Sequence, residues 1–165
     1  MKIAAVVLIV ICGCLIGTEL KNKLSERVKI ISEYRSNCSK LMNMIRFERL
    51  PLDRLFLKLD NTDSDIFSLC ALYINEGMDF HSAWESAIKG SDEIRYLKES
   101  ERDAIVDLGA QLGRSDAQGE LSIISRIDEK LQEAYEDAVC DLRSKGRVYS
   151  VCGLLGGMMC ALIMI

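Results

Sequence analysis

The sequence predicts an all-α protein: an antiparallel helical bundle whose two long helices are continuous with N- and C-terminal transmembrane helices. Three observations predict it. Apolar residues make up 49% of the 165 residues and charged residues 28%, and the two are segregated, with the apolar excess at the ends and the charge between them. Apolar residues in the charged middle recur at spacings of three and four, the helical period, instead of alternating as in a strand. A single proline, Pro51, interrupts the chain.

The N-terminal stretch KIAAVVLIVICGCLIGTEL carries no charge from Ile3 to Gly17, and the C-terminal stretch VYSVCGLLGGMMCALIMI, Val148 to Ile165, carries none either. At 1.5 Å per residue they reach roughly 22 Å and 27 Å, against a hydrocarbon core of about 30 Å. Snorkelling by Lys2 and local thinning cover the shortfall. The expected partition is a transmembrane helix at 3–18, a cytoplasmic helical bundle at 19–147 and a second transmembrane helix at 148–165. Lys21, Lys23, Arg27 and Lys29 follow the first span, and Arg143, Lys145 and Arg147 precede the second. The positive-inside rule puts the segment between them in the cytoplasm. Each span holds a G-x-x-x-G pair, Gly13 with Gly17 and Gly153 with Gly157, which permits close helix packing within one molecule or in a homo-oligomer. An alternative reading takes Ile11-Cys12-Gly13-Cys14 as a lipobox, with Cys14 lipidated and the domain outside the cell.

Past the first span, Leu24, Val28, Ile31, Tyr34, Cys38, Leu41 and Ile45 form a stripe close to the 3.5 repeat of a coiled-coil seam. Pro51 is expected to be the first residue of the next helix, PLDRLFLKLD. The segment DNTDSD, Asp60 to Asp65, reads as a turn. A third helix of the domain runs to about Glu76, Gly77 suits a left-handed C-cap, and Asp79 suits the N-cap of the helix that continues to about Lys89. Ser100 and Asp103 resemble a capping box opening the next helix.

The stretch LGAQLGRSDAQGEL, Leu108 to Leu121, is the densest in glycine and polar groups. Gly109 and Gly113 lie four apart, on one helix face. Glycine inside a helix costs up to about 1 kcal/mol against alanine, and close approach by a neighbouring helix is the expected compensation. Gly113 is expected to cap the helix, with Ser115 or Asp116 opening the next. Arg114, Asp116 and Gln118 in this turn are candidates for docking. The last helix follows Ile124, Ile127, Leu131, Ala134, Ala138 and Leu142 and is expected to run straight into the second span.

Several function classes lack their residues. A P-loop requires Gly-Lys-Ser/Thr, and no lysine follows these glycines. A dinucleotide site requires a strand before its glycines, where a helix is expected. His81 is the single histidine, so a Cys/His or Ser/His pair depends on it alone; it reads as a surface or capping residue. The seven cysteines lack zinc-ligand spacing. Trp84 reads as a core anchor. A net charge of -4 does not suggest a nucleic-acid binder. No cofactor, metal or catalytic residue is assigned, and the chain is expected not to be an enzyme.

From Glu99 to Asp137 there are eleven acidic and four basic residues. A solvated helix face that keeps the domain soluble is one explanation of this excess; an acidic docking face for a basic partner at Glu133, Glu136 and Asp137 is the sharper expectation.

The features GTEL after the first apolar run, Pro51-Leu52, SAWESA around Trp84, LGAQLGRSD at 108 to 116 and the closing apolar helix together resemble the stage III sporulation protein AB family of endospore-forming bacteria. The resemblance covers essentially the whole chain. LCALYINEGMDFHSAWESAI, Leu69 to Ile88, is also similar to the inner-membrane platform protein of type II secretion and type IV pilus machines, of whose duplicated cytoplasmic domain this chain has room for one copy. The resemblance implies a non-enzymatic scaffold in a secretion-like assembly of the mother-cell membrane around the forespore, with a secretion-type ATPase among its companions.

Overall fold

The computed structural model describes the backbone of residues 2–48, 51–59 and 64–164, and side chains from residue 11 onward except at 150, 153, 154, 156–158 and 160–164. Six α-helices follow in order: α1 Lys2–Glu48, α2 Leu52–Lys58, α3 Asp65–Asn75, α4 Phe80–Gly90, α5 Glu99–Gln111 and α6 Ala117–Met164, with a short 3-10 helix Glu93–Tyr96 between α4 and α5. There is no strand among the described residues. The chain is an all-helical bundle. The two long helices, of 47 and 48 residues, each run unbroken from the charged middle into the apolar terminal run.

Over the described residues no helix is long and apolar enough to cross a membrane. Much of the expected spans at 3–18 and 148–165 lies outside the residues whose side chains are described.

The chain divides into two compact units, Met1–Val28 with Glu136–Ile165, and Lys29–Tyr135. In the second unit the core is aromatic. Phe67 stacks on Phe56 at 5.6 Å between centroids, and Trp84 meets both edge-on, at 5.7 Å from Phe56 and 5.2 Å from Phe67. Tyr34 of α1 closes on Phe67 at 5.5 Å. Offset and edge contacts of this kind add about 0.5–1.5 kcal/mol each beyond area burial. The stripe residues Ile31, Tyr34, Cys38, Leu41 and Ile45 of α1 and Ile124, Ile127 and Leu131 of α6 are all buried.

The turns follow their capping chemistry. Gly77 has φ +96° and ends α3 in the left-handed region that glycine enters without steric cost. Asp79 then caps α4, accepting from the Ser82 N–H at 3.1 Å.

Two helix starts differ from the sequence expectation, α2 ends at Lys58 short of the expected Asp60, and Asp65, expected in the turn, opens α3. Pro51 is the cap residue of α2 and not its first helical residue, with ψ 148° outside the helical region. Helix α5 begins at Glu99, one residue ahead of Ser100. The Glu101 carboxylate reaches back to accept from the Lys98 N–H at 2.8 Å. A glutamate three residues into the helix satisfies an orphan donor better than Asp103 could, because Asp103 already lies beyond the first turn.

The 3-10 segment carries a residue the sequence did not flag. Glu93 is buried, and its carboxylate accepts from the Asp65 N–H at 3.0 Å and the Ser64 hydroxyl at 3.2 Å. It therefore caps α3 from a distant part of the chain, where the N-terminal partial charge favours an anion. Burial pushes its carboxyl above the usual carboxylate range, with the neighbouring Asp65 adding to the shift and these hydrogen bonds opposing it.

Candidate functional site

The turn between α5 and α6 is built around one carboxylate. Gly113 takes φ +82° and ends the helix. Glu120, 7% exposed in the first turn of α6, folds back over the turn, and its Oε1 accepts from the N–H of Gly113 at 2.9 Å and of Ser115 at 3.0 Å. Asp116 caps α6, accepting from the Gly119 N–H at 2.9 Å. Two successive carboxylates thus satisfy the donors that the helix break exposes.

Gly109 stands against a side chain. A Cβ placed there would lie 1.9 Å from Trp84 Cδ1 and 2.2 Å from Nε1. The indole is held in place by its own hydrogen bond, Nε1 donating to the Ile105 carbonyl at 3.1 Å. His81 Nδ1 lies 3.0 Å from the Gly109 carbonyl oxygen. The histidine therefore helps join α4 to α5 and is half-buried, a structural role beyond the capping or surface position expected of it.

Of the docking candidates in this turn, Arg114, Asp116 and Gln118 are all exposed. Beside them a cavity of about 500 Å³ opens, walled by Ile45, Pro51, Leu52 and Leu55 and by Gly113 and Glu120. The sequence analysis did not single out Glu120. The available signal was a glutamate near the start of a helix, a few residues past a glycine break.

The acidic candidates are not equivalent. Glu133 and Glu136 are exposed. Asp137 is also exposed, but its Oδ2 accepts from Arg27 Nη2 at 3.2 Å. Arg27 is 4% exposed, and its Nη1 donates to Asp141 at 3.1 Å. Lys145 closes on the same Asp141 at 2.6 Å.

Among the glycines of the apolar runs, Gly17 is buried and Gly13 half-buried, while Gly153 and Gly157 lie outside the residues whose surroundings are described. Cys14 is half-buried on α1, which runs through it without a break. Among the described residues no group of three or more His, Cys, Asp or Glu is placed to hold a metal ion.

The family model described as stage III sporulation protein AB matches residues 2–165. The chain belongs to the stage III sporulation protein AB family. A solved structure titled stage III sporulation protein AB (SpoIIIAB) superposes with a TM-score of 0.59 at 24% identity, covering 70% of this chain and 94% of that one. That likeness shows a shared helical fold. No curated protein matches the chain. Membership of the family supports a role in sporulation.

Proposed function

We propose that this family member is a non-enzymatic membrane scaffold of a secretion-like assembly in the mother-cell membrane during endospore formation, docking partner proteins through its helical domain. The observation that carries the reading is the continuity of α1 and α6. Each long helix leaves an apolar terminal run and enters the charged bundle without interruption, the arrangement that holds a folded domain against a bilayer. Basic residues gather where both helices leave the apolar runs, at Lys21, Lys23, Arg143 and Arg147 among others, as a cytoplasmic domain at an anionic leaflet requires. The turn around Gly113, with Arg114 and Gln118 exposed, is the proposed docking region, and a secretion-type ATPase is a candidate partner.

Affinity purification of the full chain from membranes of sporulating cells, followed by crosslink mapping, tests the reading. It should return partner proteins joined to the segment between the apolar runs. A chain that purifies alone, or crosslinks only to itself, overturns it. Mass spectrometry of the same preparation should find an intact N-terminus; a diacylglyceryl group on a chain starting at Cys14 would instead place the domain outside the cell.

A further inference from the structure

The cavity beside the α5–α6 turn is lined by five apolar side chains, with Gly113, Ser115 and a single acid, Glu120. Ile45 comes from α1, Pro51, Leu52 and Leu55 from the start of α2, and Ala117 and Glu120 from α6. Glu120 Oε1 is fully used, accepting from both Gly113 and Ser115. Its Oε2 is buried and has no hydrogen-bond partner among the described residues. A buried acceptor left unpaired is costly, the more so when charged, so a ligand that supplies a donor recovers that cost on binding.

We propose that this cavity receives a lysine or arginine side chain of a partner protein, its aliphatic stem against Ile45, Leu52 and Leu55 and its charged head on Glu120 Oε2. Lys and Arg are the side chains whose apolar stem and cationic tip match this division of surface. Small-molecule sites converge several polar groups on one ligand; here Glu120 is the one charged residue of a largely aliphatic lining that has Ser115 beside it, which specifies a single cationic tip. The segment that carries Glu120 has the same sense, with eleven acidic against four basic residues from Glu99 to Asp137. The assignment rests on the docking reading above and names the chemistry of its contact.

Glu120→Gln is the discriminating variant. Its amide oxygen still accepts from Gly113 and Ser115, while an NH2 replaces the free acceptor and the charge is gone. The full chain in detergent micelles, labelled with 15N, is titrated with n-butylammonium and with n-butanol as its neutral counterpart, and the Gly113 and Ser115 amides are followed. Saturable shifts are expected with n-butylammonium, at least tenfold weaker in Glu120→Gln, and none with n-butanol. Equal binding of the two probes, an unaffected variant or no saturable shift overturns the assignment. If Glu120→Gln melts early, Leu52→Lys replaces it: the introduced amine should occupy the cavity and block n-butylammonium, and unblocked binding counts against the proposal.

In sporulating cells, a photo-crosslinking residue at position 52 should join the chain to a partner peptide containing Lys or Arg, and alanine at that residue should remove the product. A product formed only with a second copy, only with lipid, or equally in Glu120→Gln overturns it. Normal co-purification of partners with an unchanged Glu120→Gln variant sinks the cavity alone. Failure of co-purification in wild type and variant alike sinks the scaffold reading.

Discussion

Arg27 of α1 donates to Asp141 of α6 across 3.1 Å, and both residues occupy positions where a helix seam ordinarily places leucine. The arginine side chain is 5% exposed and the aspartate 14%. Removing one member of a buried pair strands the other, at about 3–5 kcal/mol, whereas replacing both by apolar residues is often neutral. Asp141 keeps its contact with Lys145 at 2.6 Å and Asp137 is exposed, so Arg27→Ala should destabilise the chain by less than that amount, and Arg27→Met with Asp141→Leu should recover most of the loss. Chemical denaturation in detergent micelles measures both. A double variant as unstable as the single one would show that the pair is not the source.

Gly109 should refuse even a methyl group. Gly→Ala inside a helix ordinarily gains up to about 1 kcal/mol. Here the added Cβ would meet the Trp84 ring at 1.9 Å, and overpacking costs typically about 1–3 kcal/mol. Gly109→Ala should lower the denaturation midpoint and Gly109→Leu should lower it further, while Arg114→Ala and Gln118→Ala stay within about 0.5 kcal/mol of wild type. An unchanged Gly109→Ala would mean the indole moves aside freely.

Glu93 makes a prediction in pH. Its carboxyl is pushed up in the folded chain by burial, so between the unfolded value near about 4.3 and the raised folded value the native state holds more protons than the unfolded one. Its contribution to stability is greatest below that window and falls as pH rises through it. Glu93→Gln keeps an acceptor for the Asp65 N–H and removes the titration. The stability difference between variant and wild type should shift in favour of glutamine from about pH 4 to pH 7. A difference that does not change with pH would remove Glu93 as the cause.

The thiols should separate by burial. Cys38 and Cys70 are both pushed up to about 12, in each case chiefly by burial, which suppresses the reactive thiolate. Cys140 is exposed. Iodoacetamide near neutral pH should modify Cys140 in the native chain and reach Cys38 and Cys70 only after denaturation. Native labelling of Cys38 at the rate of Cys140 would contradict the packing of α1.

Much of this architecture was legible because helical period and caps are local signals. The buried stripes from Ile31 to Ile45 and from Ile124 to Leu131, the left-handed Gly77 and Gly113, and the Asp79 cap all follow from neighbours within a turn or two. The ion pair sits in the seam at positions that a strict helical repeat marks. The positions 24, 27, 31, 34, 38, 41 and 45 keep strict alternation of three and four, which puts Arg27 in the seam where the apolar stripe takes Val28. The same alternation along α6, 124, 127, 131, 134 and 138, reaches Asp141 before the apolar Leu142. What was not legible depends on contacts far apart in sequence. Glu93 caps a helix that begins 28 residues earlier, and the cavity joins Ile45 to Glu120. No local rule assigns those partners. The acidic triad was only partly informative, since composition counts charges and cannot tell that Asp137 is engaged by Arg27.

Trp84 is the only tryptophan in the chain, and it is 2% exposed, hydrogen-bonded to Ile105 and pressed against Gly109, four residues before the turn glycine. All intrinsic indole fluorescence of the molecule therefore originates at one rigid, dry position on the approach to the proposed docking turn. Its emission should be blue-shifted and slow to quench by acrylamide in the native chain. Occupancy of the turn becomes an optical measurement on the unlabelled protein, with no competing indole signal from elsewhere in the sequence.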